Sequence, residues 1–343
     1  MEGKHQTINI STVTILKIVM IGLLMWFLFA IREILLLLLI SIIISSAIDP
    51  LAEFLYRRKV PRGLSVILVY IVVIGILVLI GMLLAPSISQ QFQALSQGNF
   101  YEQFQSKIGI FRDTLNQSGI GRTFEENIKN WIGSFSATLF NTTKGVFTGA
   151  VSVITILAIS FYLTVEENGM KNFITHLTPY KHQAYVARLV QKIQKKIGYW
   201  VLGQLILSAV IFGFTYIGLV LLKVEFALFL AVIAGVLEII PYIGPFIAVI
   251  PAVFFAFLQN PPLALAVLAL YIIIQQLENH IIVPVVMSKS VGLNPVLVIL
   301  AILIGGSLAG AIGAIIAIPV VSGISVFVTD MFEAHEAKMR DKE

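Results

Sequence analysis

Long apolar runs alternate along the chain with short stretches where Lys, Arg, Asp and Glu collect. A helix needs about 20 apolar residues to cross the hydrocarbon core of a bilayer. Ser11–Ile31 meets that length with Lys17 placed to snorkel, and Leu64–Ala85, Gly145–Val165 and Ile197–Leu222 meet it with no charge over 22, 21 and 26 residues. Ile34–Ile48 is shorter, about 22 Å at 1.5 Å per residue. It follows the pair Arg32-Glu33, so the first two runs are read as a helical hairpin turning there. No small-residue cleavage site follows the first run, which therefore reads as a retained span rather than a signal peptide. Two later blocks, Ile239–Leu277 and Ser290–Thr329, are uncharged for 39 and 40 residues, too long for one span each. The first is interrupted by Pro241, Pro245, Pro251 and Pro261-Pro262; the second by Gly305-Gly306, Gly310, Gly313 and Pro319. The pattern predicts an all-α polytopic membrane protein of about eight transmembrane helices, broken or re-entrant in the C-terminal half, with amphipathic surface helices.

Two polar regions carry helical periodicity. Tyr101, Phe104, Ile108, Phe111 and Leu115, then Phe124, Ile128, Ile132, Phe135 and Leu139, recur at steps of three and four and predict an amphipathic cap. Val186, Leu189, Ile193 and Ile197 form one face of a second segment that also holds Arg188, Lys192, Lys195 and Lys196. That segment either lies on an anionic leaflet or packs on its own protein. Arg57, Arg58, Lys59 and Arg62, and later Lys171, Lys181, Arg188, Lys192, Lys195 and Lys196, mark two cytoplasmic loops by the positive-inside rule. Pro86–Lys144 then lies outside and the N-terminus inside. The expected divisions are 1–85, N-terminal spans with a basic loop; 86–144, the outer cap; 145–199, a span and the basic helix; 200–330, a transport core; and 331–343, a charged tail.

Composition supports this reading. Of 343 residues, 58% are hydrophobic and only 12% charged, with mean hydropathy +0.96, whereas soluble domains run at about 45–50% and 25%. Soluble enzymes and nucleic-acid binders are excluded as first readings, and the lipid bilayer is the first partner. The net charge of +5 reflects basic residues beside the spans. With no Cys, there are no disulfides, thiolate metal sites or Cys nucleophiles. Neither cofactor nor metal is expected.

Charges inside a membrane domain are costly and usually face a cavity or partner. From Phe226 to Thr329 there are three, Glu238, Glu278 and Lys289. Glu238 precedes Ile239-Ile240-Pro241-Tyr242-Ile243-Gly244-Pro245, whose two prolines prevent a continuous helix. Free carbonyls beside a carboxylate at membrane depth are how secondary transporters build sites. The alternative is an interfacial turn between two short helices. The second cluster, Gln275-Gln276-Leu277-Glu278-Asn279-His280, places Gln275, Glu278 and Asn279 on one helical face. It suits a polar lumen or helix association; the Gln pair is read as association, Glu278 with Asn279 as functional. His280 has no partner at metal-ligand spacing. Gly306-Ser-Leu-Ala-Gly310 permits close helix contact or marks a break. Ile243-Gly244-x-x-Ile247-Ala248-x-x-Pro251 is echoed by Ile312-Gly313-x-x-Ile316-Ala317-x-Pro319.

Taken together, several of these motifs resemble the autoinducer-2 exporter family of bacterial membrane proteins. They are Pro241-Tyr242-Ile243-Gly244-Pro245 with Pro251, Gln276, Glu278-Asn279, Pro284, Gly292-Leu293-Asn294-Pro295, and the tail Gly305-Gly306, Gly310, Gly313, Pro319. Asp49-Pro50-Leu51 and Arg57-Arg58-Lys59-Val60-Pro61-Arg62-Gly63 match the family's first cytoplasmic loop. Where members often carry His after the Gly-Leu pair, this chain has Asn294. The resemblance implies a multi-pass inner-membrane transporter, homo-oligomeric, exporting autoinducer-2 or, as in other members, exchanging Na⁺ for H⁺.

The leading reading is a secondary transporter for a small polar solute. Glu238 and Glu278 carry the proton or monovalent cation, Tyr242 and Asn279 bond the solute, Gln276 lies on the pathway, and Pro241, Gly244 and Pro245 hold the break open. Pro284, Asn294, Pro295, Gly305, Gly306, Gly310 and Gly313 are assigned to helix breaks and packing. An Na⁺(Li⁺)/H⁺ antiporter and a non-transporting membrane scaffold are the alternatives. No GxSxG, HExxH or Walker A sequence occurs, so no catalysis or ATP use is expected. Phe226–Ile240 and Ile243–Phe257 form either one hairpin, which places Lys289 inside, or parts of a crossing.

Overall fold

A computed structural model describes residues 12–96, 150–166, 169–176, 178–287 and 294–340. The outer cap beyond residue 96, Lys289 and Gly292-Leu293 lie outside them. The described residues form α1 (Thr12–Ala30), α2 (Arg32–Tyr56), α3 (Arg62–Ser96), α4 (Ala150–Val165), α5 (Gly169–His176), a 3₁₀ turn (Tyr180–His182), α6 (Gln183–Leu221), α7 (Ala227–Leu237), α8 (Ile243–Gln259), α9 (Pro261–Leu277), a π-helical segment (Glu278–Ile282), α10 (Val283–Val286) and α11 (Pro295–Arg340). There is no strand among them. Among the described residues, six helices are long and apolar enough to cross a membrane, and α4, α7 and α8 are shorter apolar helices.

The hairpin expected at Arg32-Glu33 does not form. Ile31 N–H donates to Phe27 O and Leu35 N–H to Ile31 O, both at 3.0 Å, so the helical ladder continues from α1 into α2 through one bent residue. Neither Gly nor Pro interrupts the sequence there, and Arg32 stacks on the Phe29 ring at 4.2 Å instead of leaving the helix. The charged pair is accommodated on a helix surface. No α1 residue is buried.

In lipid there is little hydrophobic drive between helices, so association rests on close packing and polar contacts. Both appear where α2, α3 and α4 meet. Thr164 Oγ1 donates to Ser45 Oγ at 2.9 Å and Tyr70 OH to Ser160 Oγ at 2.8 Å. Arg62 Nη2 bridges Asp49 Oδ1 at 2.9 Å and Thr164 O at 3.1 Å.

α6 is the axis of the molecule, about 58 Å long at 1.5 Å per residue, and it runs unbroken across the boundary expected at 199/200. Its basic N-terminal third packs on the protein: Ile193 and Ile197 share a cluster with Ile43 and Ile316. Two helical hairpins pack against it. In the first, α7 descends to the bend at Glu238–Tyr242 and α8 returns, so that Phe226 and Phe255 meet again with ring centroids 5.3 Å apart. Both open ends are tied to the C-terminal end of α6, Gln259 Nε2 donating to Lys223 O at 2.8 Å.

The second hairpin lies within α11. Its backbone reverses at Ala309 and Gly310, and Gly310 has φ 60° and ψ −145°, a conformation open essentially to glycine alone. A Cβ on Gly313 would lie 2.0 Å from Gly305 O, so the two legs touch backbone to backbone. Gly244 stands in the same place in the first hairpin, its built Cβ 2.0 Å from Leu237 O. The echoed sequences around Gly244 and Gly313 thus open the returning leg of each hairpin. The second hairpin is anchored to the other end of α6: Lys192 pairs with Asp330, and Lys196 Nζ donates to Ser325 Oγ at 3.1 Å. The hairpins therefore enter from opposite ends of α6 and approach one another near Trp200–Gln204.

Candidate substrate and ion site

A cavity of about 220 Å³ lies where the hairpins approach, lined by Trp200 and Gln204 of α6, Glu238, Pro241 and Tyr242 of the first bend, Glu278, Asn279 and Met287 beyond α9, and Val298 and Ile318 from the two legs of α11. Glu238 caps α7 and is 1% exposed; Glu278 opens the π segment and is 6% exposed. Both acids line this one cavity. Gln275 Nε2 donates to Glu278 Oε2 at 3.2 Å. Glu238 Oε2 has no donor among the described residues.

The local sequence sets this geometry. The α7 ladder ends where Ile240 N–H reaches back to Leu237 O at 2.9 Å, and Pro241 offers no N–H to continue it. Tyr242 then takes φ 65° and ψ −49°, a sparsely populated conformation of the kind held at functional sites by surrounding structure. Gln204 Nε2 donates to Glu238 O and fixes the bend to α6. Past α9, Val283 N–H donates to Glu278 O, five residues back, in place of the ordinary helical acceptor four residues back. Pro284, one residue on, cannot donate to the carbonyl of His280. Such wide turns concentrate at functional sites.

Of the residues singled out in the sequence, Glu238, Tyr242, Glu278 and Asn279 share this cavity, with Pro241 in its wall. Gly244 and Pro245 lie in the first turn of α8. Gln276 does not join them: it is exposed, and its carbonyl meets His280 Nδ1 at 3.0 Å. The amide that faces the acids is Gln275, since a step of three keeps it on the Glu278 face and a step of two does not. Pro284 is exposed in the first turn of α10. Asn294 caps α11, its Oδ1 accepting from Val296 N–H at 2.9 Å, with Pro295 at the favoured first helical position. Gly305, Gly310 and Gly313 build the second hairpin, and Gly306 faces Ala314. Trp200 and Gln204 went unmarked in the sequence; the signal available was a single amide in the uncharged run Ile197–Leu222.

A second, larger polar cavity of about 620 Å³ lies beside α6 just before Trp200, with Asp49, Glu53, Arg62, Glu166, Gln194 and Lys195 in its lining. Between its lining residues Lys195 and Tyr199, Gly198 of α6 packs on Ser46 O of α2.

Residues 15–333 match the model of the AI-2E family transporter. The chain belongs to the AI-2E transporter family. It is 25% identical over 318 residues to "Putative transport protein YueF" of Bacillus subtilis (strain 168), covering 89% of this chain and 86% of that one. It is 26% identical over 326 residues to "AI-2 transport protein TqsA" of Escherichia coli (strain K12), covering 90% and 91%. The AI-2E family protein described here is a multi-pass membrane transporter.

Proposed function

We propose that this family member is a secondary transporter that moves a small polar solute such as autoinducer-2 through the cavity between the bend of the first hairpin and the legs of the second. Glu238 and Glu278 bind the coupling proton or monovalent cation. The observation that carries this reading is the buried acid pair at the approach of two oppositely directed hairpins. Two carboxylates side by side out of water repel one another, and a proton or small cation between them removes that penalty. About 220 Å³ holds a small solute or about seven waters at roughly 30 Å³ each. Tyr242 and Asn279 offer a hydroxyl and an amide to a hydroxylated solute. The 620 Å³ cavity is lined from the two basic loops, so the positive-inside rule makes it the cytoplasmic access. Gly198, packed on Ser46 O, and Trp200 are the barrier proposed between it and the acid pair. The name of the TqsA relative supports autoinducer-2 as the first solute to test.

The experiment is uptake of labelled autoinducer-2 into liposomes holding the purified full chain, with a proton or sodium gradient imposed. Glu238→Gln with Glu278→Gln is expected to reduce gradient-driven uptake at least about tenfold, as removal of an intramembrane carrier should. Unchanged uptake in the double variant removes the pair from this role.

A further inference from the structure

Six buried side-chain polar atoms have no hydrogen-bond partner among the described residues, and five of them follow one line through the molecule: Glu238 Oε2, Gln204 Oε1, Ser208 Oγ, Thr215 Oγ1 and Tyr271 OH. Gln204, Ser208 and Thr215 stand at i, i+4 and i+11 on one face of α6, a rise of about 16 Å. Tyr271 lies two turns from Glu278 along α9, about 10 Å away. α6 and α9 run antiparallel with these faces together. Gln204 and Glu278 line the same cavity at one end, and at the other a Cβ on Gly218 would sit 2.5 Å from Leu270 Cδ1. Thr215 is one turn before Gly218 and Tyr271 is next to Leu270, which brings the two hydroxyls to one level.

The setting makes these atoms unusual. Gln204, Thr215 and Tyr271 are 3%, 0% and 8% exposed. Tyr271 is packed in the apolar cluster of α6, α7, α8 and α9 with Ile211, Leu219, Leu230, Val267 and Ile274. Hydroxyls on membrane helices ordinarily bond the carbonyl four residues back, as Ser41, Ser46 and Thr155 do here. Ser208 and Thr215 do not. Buried polar atoms without protein partners are where internal water binds.

We propose that Gln204, Ser208, Thr215 and Tyr271 hold a file of water molecules that relays protons between the acid pair and the C-terminal end of α6. This rests on the reading of Glu238 and Glu278 as the coupling site and gives that site its second access, opposite the basic cavity. Each hydroxyl or water takes a proton on its oxygen and releases its own to the next, so one proton reaches a carboxylate and nothing is consumed. Ser208 and Thr215 are about 10 Å apart along α6, a gap that water must bridge past Ile211. The charged groups at the two ends are Glu238 and Glu278 on one side and Lys223 and Glu225 on the other. None lies between them in α6, α7, α8 or α9.

The test uses the purified full chain in liposomes loaded with a pH-sensitive dye, with proton uptake driven by a potassium diffusion potential. Potential-driven uptake above that of protein-free liposomes is expected for the wild type. Thr215→Val and Tyr271→Phe, each close to isosteric, are expected to slow it about tenfold, and Ile211→Ser to speed it by hydrating the gap. The increase is expected to vanish when Glu238→Gln and Glu278→Gln are added, whereas a nonspecific leak would survive them. Wild-type uptake unaltered in Thr215→Val and Tyr271→Phe, yet abolished by Glu238→Gln with Glu278→Gln, overturns the relay and leaves the acid pair standing. Uptake that survives the double Gln variant overturns both. Absence of proton uptake in the wild type overturns the relay alone.

Discussion

At the residue scale, Gln204 does more than any sequence pattern singled out. Its amide N–H holds the carbonyl of Glu238, and through it the first bend is pinned to α6. Gln204→Leu leaves a buried carbonyl without its donor, which costs about 1–3 kcal/mol. A lower unfolding temperature in detergent, with still weaker uptake, is the expected result; an unchanged melting curve would show the bond to be dispensable. The acids themselves were readable, because a carboxylate in a nearly chargeless stretch has few uses. Gln204 was not, because one amide in an apolar helix declares its importance only when the facing element is known. Gln275 and Gln276 differ from it: the step of three that sets Gln275 on the Glu278 face was readable from helical spacing, whereas the assignment of Gln276 to the pathway ignored that spacing.

Among elements, the hairpins depend on two backbone contacts at glycine. A methyl group on Gly244 or Gly313 would fall 2.0 Å from a carbonyl oxygen of the opposite leg, and the carbonyl is held in a helix and cannot swing away. Gly244→Ala and Gly313→Ala are each expected to destabilise by about 1–3 kcal/mol through overpacking, measured by thermal unfolding, whereas Leu308→Ala at an 81% exposed position should change little. Breaks at Pro241 and Gly310 were visible in the sequence, since proline and glycine act locally. Whether the chain reverses at each break or crosses was left open by the sequence, because the choice depends on contacts between legs. The same limit explains Arg32-Glu33. Charges at the end of an apolar run suggest a turn, yet neither residue disfavours helix, and the ladder simply continues.

For the whole molecule, the hairpin anchors make a topological prediction. The first hairpin opens beside Lys223 and Gln259, the second beside Lys192 and Lys196, at opposite ends of a helix about 58 Å long. In the Cys-free chain, Glu225→Cys and Glu333→Cys should react with a membrane-impermeant maleimide from opposite faces of the membrane. Labelling of both from one face would show that the two hairpins share a side. The all-α membrane class was legible from hydropathy alone, while the opposed entrances rest on an ion pair and side-chain hydrogen bonds between residues 36 to 138 positions apart.

The wide turn at Glu278–Ile282 carries a final consequence. A π turn accommodates one residue more than the helix around it, so whatever follows is indexed to that surplus. Winding the same residues as ordinary α-helix would rotate Val283 and Met287 by about 90–100°, away from the chamber they now help enclose. Excising one position together with the wide turn would instead leave them nearly in place. Pocket composition in this protein is thus governed by arithmetic as well as by side-chain type. The surplus residue and the wide turn are matched, and losing the turn while keeping the residue would rewire the chamber without altering any residue that faces it.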